Sequence, residues 1–190
     1  LYVPEQQGHG HTADTTEPLS YQAMANDTIE FLERVVVGRS HLIGHSDGGI
    51  ISVLIALQRP DLIHRVVAIG ANYHKDGLLK SSSFSENAES EAFASARERY
   101  SALSPDGPDH WAIVVRKLQK MWLTEPTLTL DELSTIHVPL LVMANKMDLA
   151  EACPVAEVNA ALGVDAITNG GTRACRLRGV SALTLSGGGN

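Results

Sequence analysis

The chain has 190 residues, the length of one ordinary domain, and its 44% hydrophobic and 19% charged content argues against disorder of the whole chain. With 15 Lys and Arg against 22 Asp and Glu, the net charge is −7 and no basic run occurs, which excludes a nucleic-acid or anionic-membrane surface as the expected partner. No apolar run reaches the roughly 18 residues that a membrane span needs.

The first 70 residues alternate short apolar runs with longer amphipathic ones, which is typical of βαβ units around a parallel sheet. The chain begins with Leu1 rather than Met, inside a segment, Leu1–Pro4, that has the pattern of a strand tail, so we expect the start of the protein to be missing. In order, we then predict a helix over Tyr21–Val36, a strand over Arg39–Gly44, a helix over Ile50–Leu57 and a strand over Arg65–Gly70.

Residues 72–136 change to a serine-rich, mixed-charge pattern, which indicates an insertion between strands. Thr129 and Glu132 are spaced as a capping box and predict a short helix. The other predicted elements are helical segments at Glu89–Leu103 and Trp111–Leu123, a strand at Pro139–Asn145, a helix at Val155–Leu162 and a weak strand at Ala174–Leu177. We therefore divide the chain into a core at 1–71, an insertion at 72–136 and a C-terminal part of the core at 137–190.

The most specific motif is Gly44-His45-Ser46-Asp47-Gly48, a G-x-S-x-G between a predicted strand and a predicted helix. In that context the serine lies on a strained turn at a helix N-terminus, which exposes its hydroxyl for nucleophilic attack. The amide of Asp47 and the helix end would stabilise an oxyanion. Two alternatives are a glycine-rich turn with an incidental serine and a nucleophilic Asp47, although the spacing favours Ser46 at the apex.

This motif and its surroundings resemble the α/β-hydrolase superfamily over about residues 1–144. Matching segments are the G-x-G-x-[ST] loop at Gly8–Asp14, the link into the next strand at Arg59–Ile63, and, as in a bacterial subgroup of these hydrolases, Asp106–Trp111 and Glu125–Thr129. The resemblance implies an α/β fold with an incomplete, mostly parallel sheet flanked by helices. It also implies that residues 72–136 form a helical lid over the substrate pocket.

By the same resemblance, Asp148 occupies the place of the catalytic acid, three residues beyond the Pro139–Asn145 strand. The base should follow it, but the eight histidines are at positions 9, 11, 41, 45, 64, 74, 110 and 137, so none does. His74, just past the end of a predicted strand, is the substitute candidate. The alternative reading of Asp148 is an ordinary loop aspartate.

The end of the chain, about residues 139–190, resembles a different family. Asn145-Lys146-Met147-Asp148 is similar to the N-K-x-D guanine-recognition motif of small GTPases, and Ser181-Ala182-Leu183 is similar to the base-contact loop of ADP-ribosylation-factor-like members. No P-loop is present to bind the phosphates, which argues against GTP hydrolysis. Two resemblances that meet at one strand indicate a chimeric or artificial sequence.

Together these patterns predict a serine hydrolase acting on an ester, lactone or related small-molecule bond, impaired because no histidine follows the acid. The alternative is an inactive module that binds a small molecule, and guanine-nucleotide binding is a third reading. We predict no metal and no cofactor. Cys153 and Cys175 lack zinc-site or disulfide-scaffold spacing, which favours the cytoplasm. An incomplete sheet would expose an edge strand, so we also expect self-association.

Overall fold

The computed structural model describes residues 1–77, 87–144 and 175–179. The chain divides into two compact units, one formed by Leu1–Thr28 and His74–Thr127 and the other by Ile29–Tyr73 and Leu128–Asn190. Within the described ranges, no helix has the length and apolar character required to cross a membrane. The predicted helix at Val155–Leu162 and the GTPase-like residues lie outside the described residues, and both stay predictions.

The second unit contains a four-stranded parallel sheet in the order β1 (Ser40–His45), β2 (Ile63–Ile69), β3 (Leu140–Ala144) and β4 (Cys175–Gly179). Leu42 of β1 is in register with Val66 of β2, which in turn is in register with Leu140 of β3. The predicted parallel sheet is therefore confirmed, with strand ends shifted by one or two residues.

Helix α2 (Asp47–Gln58) packs against β1 and β2. It is buried nearly all round because its sequence is apolar on every face, and Ile50, Ile55 and the facing Val66 are each exposed by 2% or less. Pro60 follows at the start of a short 3₁₀ turn, where a proline ring is tolerated, and leads directly into β2. Helix and strand therefore enclose one apolar core beneath the turn that precedes α2.

Helix α1 spans Tyr21–Phe31 and is followed by a π-helical turn at Leu32–Val36. The predicted single helix at Tyr21–Val36 is thus correct in extent but changes its hydrogen bonding after Phe31. The turn closes where Val37, at φ 51°, donates its N–H to the Leu32 carbonyl at 3.0 Å. Farther along, the capping box is confirmed: Thr129 and Glu132 cap helix α5 (Leu130–Ser134) reciprocally.

The first unit contains helices α3 (Ala94–Leu103) and α4 (Trp111–Thr124), preceded by 3₁₀ turns at Glu91–Phe93 and Pro108–His110, and a third such turn lies at Lys75–Gly77. Trp111 is buried against Tyr100 and donates its indole N–H to the Ala88 carbonyl at 2.9 Å.

The prediction of a strand tail at Leu1–Pro4 is wrong. This segment is exposed, and no described strand supplies the hydrogen bonds that a strand requires.

Candidate active site

Ser46 lies between the end of β1 at His45 and the start of α2 at Asp47. Its backbone has φ 51° and ψ −119°, a combination that is costly for a residue with a side chain. Backbone hydrogen bonds hold it there: its N–H donates to the Ile69 carbonyl at 2.8 Å, and its carbonyl accepts from Gly49 at 2.9 Å and Ile50 at 3.2 Å. The strained strand-to-helix turn that the motif predicts is confirmed.

Two glycines make this turn sterically possible. A Cβ on Gly44 would lie 2.1 Å from the Gly48 carbonyl oxygen, and a Cβ on Gly49 would lie 2.7 Å from the Cβ of Ala71. At Gly48, by contrast, a Cβ would meet no atom within 4 Å. The close approach therefore depends on the first glycine of the G-x-S-x-G and on Gly49, which the five-residue motif does not include.

The Ser46 hydroxyl is exposed and makes no capping hydrogen bond to α2. It lies at the N-terminus of a 12-residue helix, where the partial positive charge of the helix dipole favours a developing anion. The first turn of that helix is fixed by Ser52, whose buried hydroxyl donates to the Gly48 carbonyl at 2.7 Å. A nucleophilic serine and an oxyanion at the Asp47 amide are chemically compatible with this arrangement.

The structure says less about the surroundings of the other two predicted catalytic residues, Asp148 and His74. Asp148 lies outside the described residues. His74 belongs to the first unit, where its backbone forms an isolated bridge with Thr127 and its Nδ1 lies 3.2 Å from an Oδ2 of Asp76. The Asp76 backbone N–H also donates to this Nδ1, at 3.3 Å. A carboxylate beside an imidazole is a pairing that can orient a general base. The roles of Ser46, Asp148 and His74 stay predictions.

A second polar cluster, which the sequence did not indicate, lies in the first unit around Asp14. The Asp14 side chain is only 1% exposed and accepts hydrogen bonds from Lys117 Nζ at 2.7 Å, His110 Nε2 at 2.8 Å and Gln7 Nε2 at 3.1 Å. Its backbone N–H donates to Asp106 at 2.7 Å. The cluster therefore joins the Gly8–Asp14 loop to α4.

Burial alone would raise the pKa of the Asp14 carboxyl. The hydrogen bonds from Lys117, His110 and Gln7 outweigh burial and lower the pKa from 3.8 to about 2. Asp14 is consequently ionised at neutral pH and binds Lys117 and His110 as a carboxylate. Among the described residues, no group of three or more His, Cys, Asp and Glu side chains is arranged to hold a metal ion.

The sequence pattern of the alpha/beta hydrolase family matches residues 1–172. A curated relative named "Putative carbamate hydrolase RutD", from Pseudomonas syringae pv. syringae (strain B728a), is 28% identical over 149 residues, which cover 68% of this chain and 58% of the relative. A protein of the same name from Rhizobium rhizogenes (strain K84) is 28% identical over 166 residues, covering 76% of this chain and 63% of the relative. The chain thus spans about three fifths of the length of these two relatives.

A shorter sequence match and a structural match at lower identity are consistent with the same family and fold. The sn-1-specific diacylglycerol lipase ABHD11 of Mus musculus is 38% identical over 61 residues, 32% of this chain and 20% of the lipase. Among solved structures, a meta-cleavage product hydrolase from Pseudomonas fluorescens IP01 superimposes with a TM-score of 0.65 at 15% identity, covering 94% of this chain and 70% of that one. At such identity the superposition establishes the fold alone.

Proposed function

We propose, from the premise that the chain belongs to the alpha/beta hydrolase family, that Ser46 is the nucleophile of a serine hydrolase acting on an ester, lactone or related small-molecule bond. The observation that carries this proposal is the backbone of Ser46, at φ 51° and ψ −119° between β1 and α2. Strain of this kind persists only where surrounding groups enforce it, and it concentrates at functional sites. The exposed hydroxyl at a helix N-terminus supports the same role.

In the proposed reaction, Ser46 Oγ attacks the carbonyl carbon and its proton passes to a base. The carbonyl oxygen becomes an oxyanion that the Asp47 amide and the N-terminus of α2 stabilise, and the acyl-enzyme forms as the leaving group departs with a proton. Asp148 is the proposed acid. Since every histidine precedes it in the chain, we propose His74 as the substitute base and expect slow turnover. A positioned base is worth about 10²–10⁴-fold in rate.

The test is the intact mass of the chain after incubation with a fluorophosphonate, whose phosphorus is attacked by an activated serine with loss of fluoride. We expect a stoichiometric adduct that disappears in Ser46→Ala. The matched control is Ser101→Ala, which removes an exposed hydroxyl from α3 and should leave the adduct unchanged. An adduct that survives Ser46→Ala would reject Ser46 as the nucleophile.

The same reagent tests the base. If His74 accepts the Ser46 proton, His74→Ala lowers the labelling rate about 10²-fold or more. His11→Ala is the control because His11, like His74, lies beside one carboxylate, that of Glu5, although its side chain is more exposed (69% against 33%). Equal labelling rates in the two variants would exclude His74 as the base.

A second candidate function, favoured because residues 149–190 contain no histidine, is a pocket that binds a small apolar molecule without turning it over. Thermal stabilisation by an ester or carbamate, without a burst of released alcohol or amine, would support it. A carbamate is included among the test ligands because the names of two relatives contain that word. A burst proportional to protein concentration would favour the hydrolase instead.

A further inference from the structure

Ser52 is the single polar residue in the buried core of the part of the chain that the structure describes, with 5% of its surface exposed. It lies in the second turn of α2, where the neighbouring Ile51 and Val53 are apolar and also buried. Alanine has the higher helix propensity and no polar group to desolvate, so neither packing nor helix formation explains a serine here. What distinguishes Ser52 is its hydroxyl, which donates to the Gly48 carbonyl at 2.7 Å.

The peptide group between Gly48 and Gly49, which this hydroxyl contacts, lies directly against Gly44. A Cβ on Gly44 would lie 2.1 Å from the Gly48 carbonyl oxygen and 2.5 Å from the Gly49 nitrogen. Glycines on both sides give this peptide group more rotational freedom than any other pair of residues would. The Ser52 hydroxyl restricts that rotation because it adds a second donor to the N–H that helical geometry already directs at the carbonyl.

The same peptide group connects Ser52 to Ser46. Its N–H, that of Gly49, donates to the Ser46 carbonyl at 2.9 Å. The Ser46 carbonyl in turn shares a planar peptide group with the N–H of Asp47, the proposed oxyanion donor. Hydrogen bonds therefore run in one direction from the Ser52 hydroxyl through two peptide groups to the Asp47 amide, and each bond in such a chain polarises the next.

We propose that Ser52 is a positioning residue for Ser46: its hydroxyl orients the peptide group between Ser46 and Asp47 and strengthens the Asp47 amide as a donor to the oxyanion. This inference rests on the proposed function of Ser46. Ser52 acts through the Gly48 carbonyl and the Gly49 amide, not by contact with the reacting atoms. The effect should therefore appear in the rate of bond formation, when negative charge develops, and not in the binding of an uncharged reagent beforehand.

The first test compares fluorophosphonate labelling of the native chain, Ser52→Ala and Ser52→Thr. As the bond from Ser46 Oγ to phosphorus forms and fluoride leaves, the serine proton passes to the base and negative charge grows on the phosphoryl oxygen. We expect Ser52→Ala to lower the maximal labelling rate about five- to tenfold, the rate equivalent of one hydrogen bond, without changing the reagent concentration that gives half this rate. Ser52→Thr keeps a hydroxyl that can reach the same carbonyl and should restore the rate.

Thr28→Val is the matched control. It removes the same kind of hydrogen bond, from a hydroxyl to the carbonyl four residues earlier, but in α1: Thr28 Oγ1 donates to the Met24 carbonyl at 2.8 Å. Because Thr28 also accepts a hydrogen bond from Gln6 at 2.9 Å, this variant loses at least as much as Ser52→Ala, yet it should leave the labelling rate unchanged.

Thermal melting by circular dichroism distinguishes positioning from a purely structural role. We expect Ser52→Ala to shift the melting temperature by less than about 4 °C, because the helix propensity of alanine offsets the lost hydrogen bond. A purely structural serine would instead lower the melting temperature and leave the labelling rate of the folded protein unchanged.

The second test does not depend on catalysis. In isotopically labelled protein, the NMR scalar coupling between the Gly49 nitrogen and the Ser46 carbonyl carbon measures the strength of the hydrogen bond between them. We expect this coupling to weaken in Ser52→Ala and to return in Ser52→Thr.

The two tests separate failure of the inference from failure of the proposed function. If the native chain labels at Ser46 and folded Ser52→Ala labels as fast, or folded Ser52→Thr labels no faster than Ser52→Ala, the inference is overturned while the proposed function stands. If the native chain does not label at Ser46, the proposed function is rejected. An unchanged coupling in Ser52→Ala would then overturn the inference as well, whereas a weakened coupling would support Ser52 as the residue that orients this peptide group.

Discussion

At Ser46 the chain is held in place by other backbone groups, whereas at Asp14 it is held by side-chain charges. The turn at Ser46 between β1 and α2, the elbow, is held by the Ile69 carbonyl and the Gly49 and Ile50 amides, and it requires the absence of a side chain at Gly44. The Asp14 cluster uses Lys117 and His110. Backbone packing is indifferent to pH and salt, but a charged cluster is not. The geometry around Ser46 should therefore persist under conditions that loosen the Gly8–Asp14 loop.

The largest effect is expected from Gly44→Ala. The new Cβ would lie 2.1 Å from the Gly48 carbonyl oxygen, and neither backbone segment can move without breaking the elbow. We expect a loss of more than about 3 kcal/mol in the free energy of unfolding, together with loss of fluorophosphonate labelling. Denaturant unfolding measures the first quantity and intact mass the second.

Gly48→Ala is the control for that experiment, because a Cβ there meets no atom within 4 Å. Alanine also favours helix in the first turn of α2, so the free energy of unfolding should rise by up to about 1 kcal/mol. If Gly48→Ala and Gly44→Ala destabilise the chain equally, backbone crowding is not what maintains the elbow.

The next largest effect is expected from Asp14→Asn, which removes the buried charge that Lys117 and His110 contact. We expect the free energy of unfolding to fall by about 2–3 kcal/mol, less than for a fully buried pair because both partners are partly exposed. The control is Asp27→Asn on the exposed side of α1, which should change it by less than about 0.5 kcal/mol. Equal effects of the two changes would show that the Asp14 cluster contributes nothing specific.

The free energy of unfolding, measured as a function of pH, distinguishes the Asp14 cluster further from the turn at Ser46. The folded pKa of Asp14 is about 2, below the usual 3.8, so its contribution is fully present above about pH 5 and is lost as the pH falls towards 2. The shift corresponds to about 2 kcal/mol. The difference in free energy of unfolding between the native chain and Asp14→Asn should therefore shrink as the pH falls over that range. A constant difference would contradict the depressed pKa.

The smallest effect is expected from Thr129→Ala, which breaks the capping box of α5. In this cap the Thr129 and Glu132 side chains accept hydrogen bonds from each other's backbone amides. The cap therefore joins side-chain groups, as at Asp14, to backbone groups, as at Ser46. We expect a loss of about 1 kcal/mol in thermal or denaturant unfolding. Thr127→Ala, at an exposed threonine whose bridge to His74 uses only backbone atoms, should have no measurable effect.

Local patterns in the sequence were sufficient for much of the fold. The motif at Gly44–Gly48 lies between a strand and a helix as predicted, and the capping box at Thr129 forms, because both depend on neighbours within a few residues. The π-helical turn after Phe31 was not predicted, since helical periodicity does not distinguish it from a continuing α-helix.

Contacts between distant parts of the sequence had no local signal. Asp14 is 96 residues from His110 and 103 from Lys117, so neither partner could be paired with it by spacing. The need for Gly49 arises from Ala71, which approaches it only after β2 has joined the sheet. For the same reason, the sequence placed the Ser46 elbow correctly but missed one of the two glycines that make it possible.

The most direct measurement for the central claim is tandem mass spectrometry of the tryptic peptide spanning residues 40–65 after fluorophosphonate treatment. This peptide contains Ser40, Ser46 and Ser52, so it compares the proposed nucleophile with one serine in β1 and one buried in α2. The account predicts that the phosphonate is found on Ser46 and on neither of the others. A label on Ser40, Ser52 or a residue outside the peptide, or no label on folded protein, would contradict it.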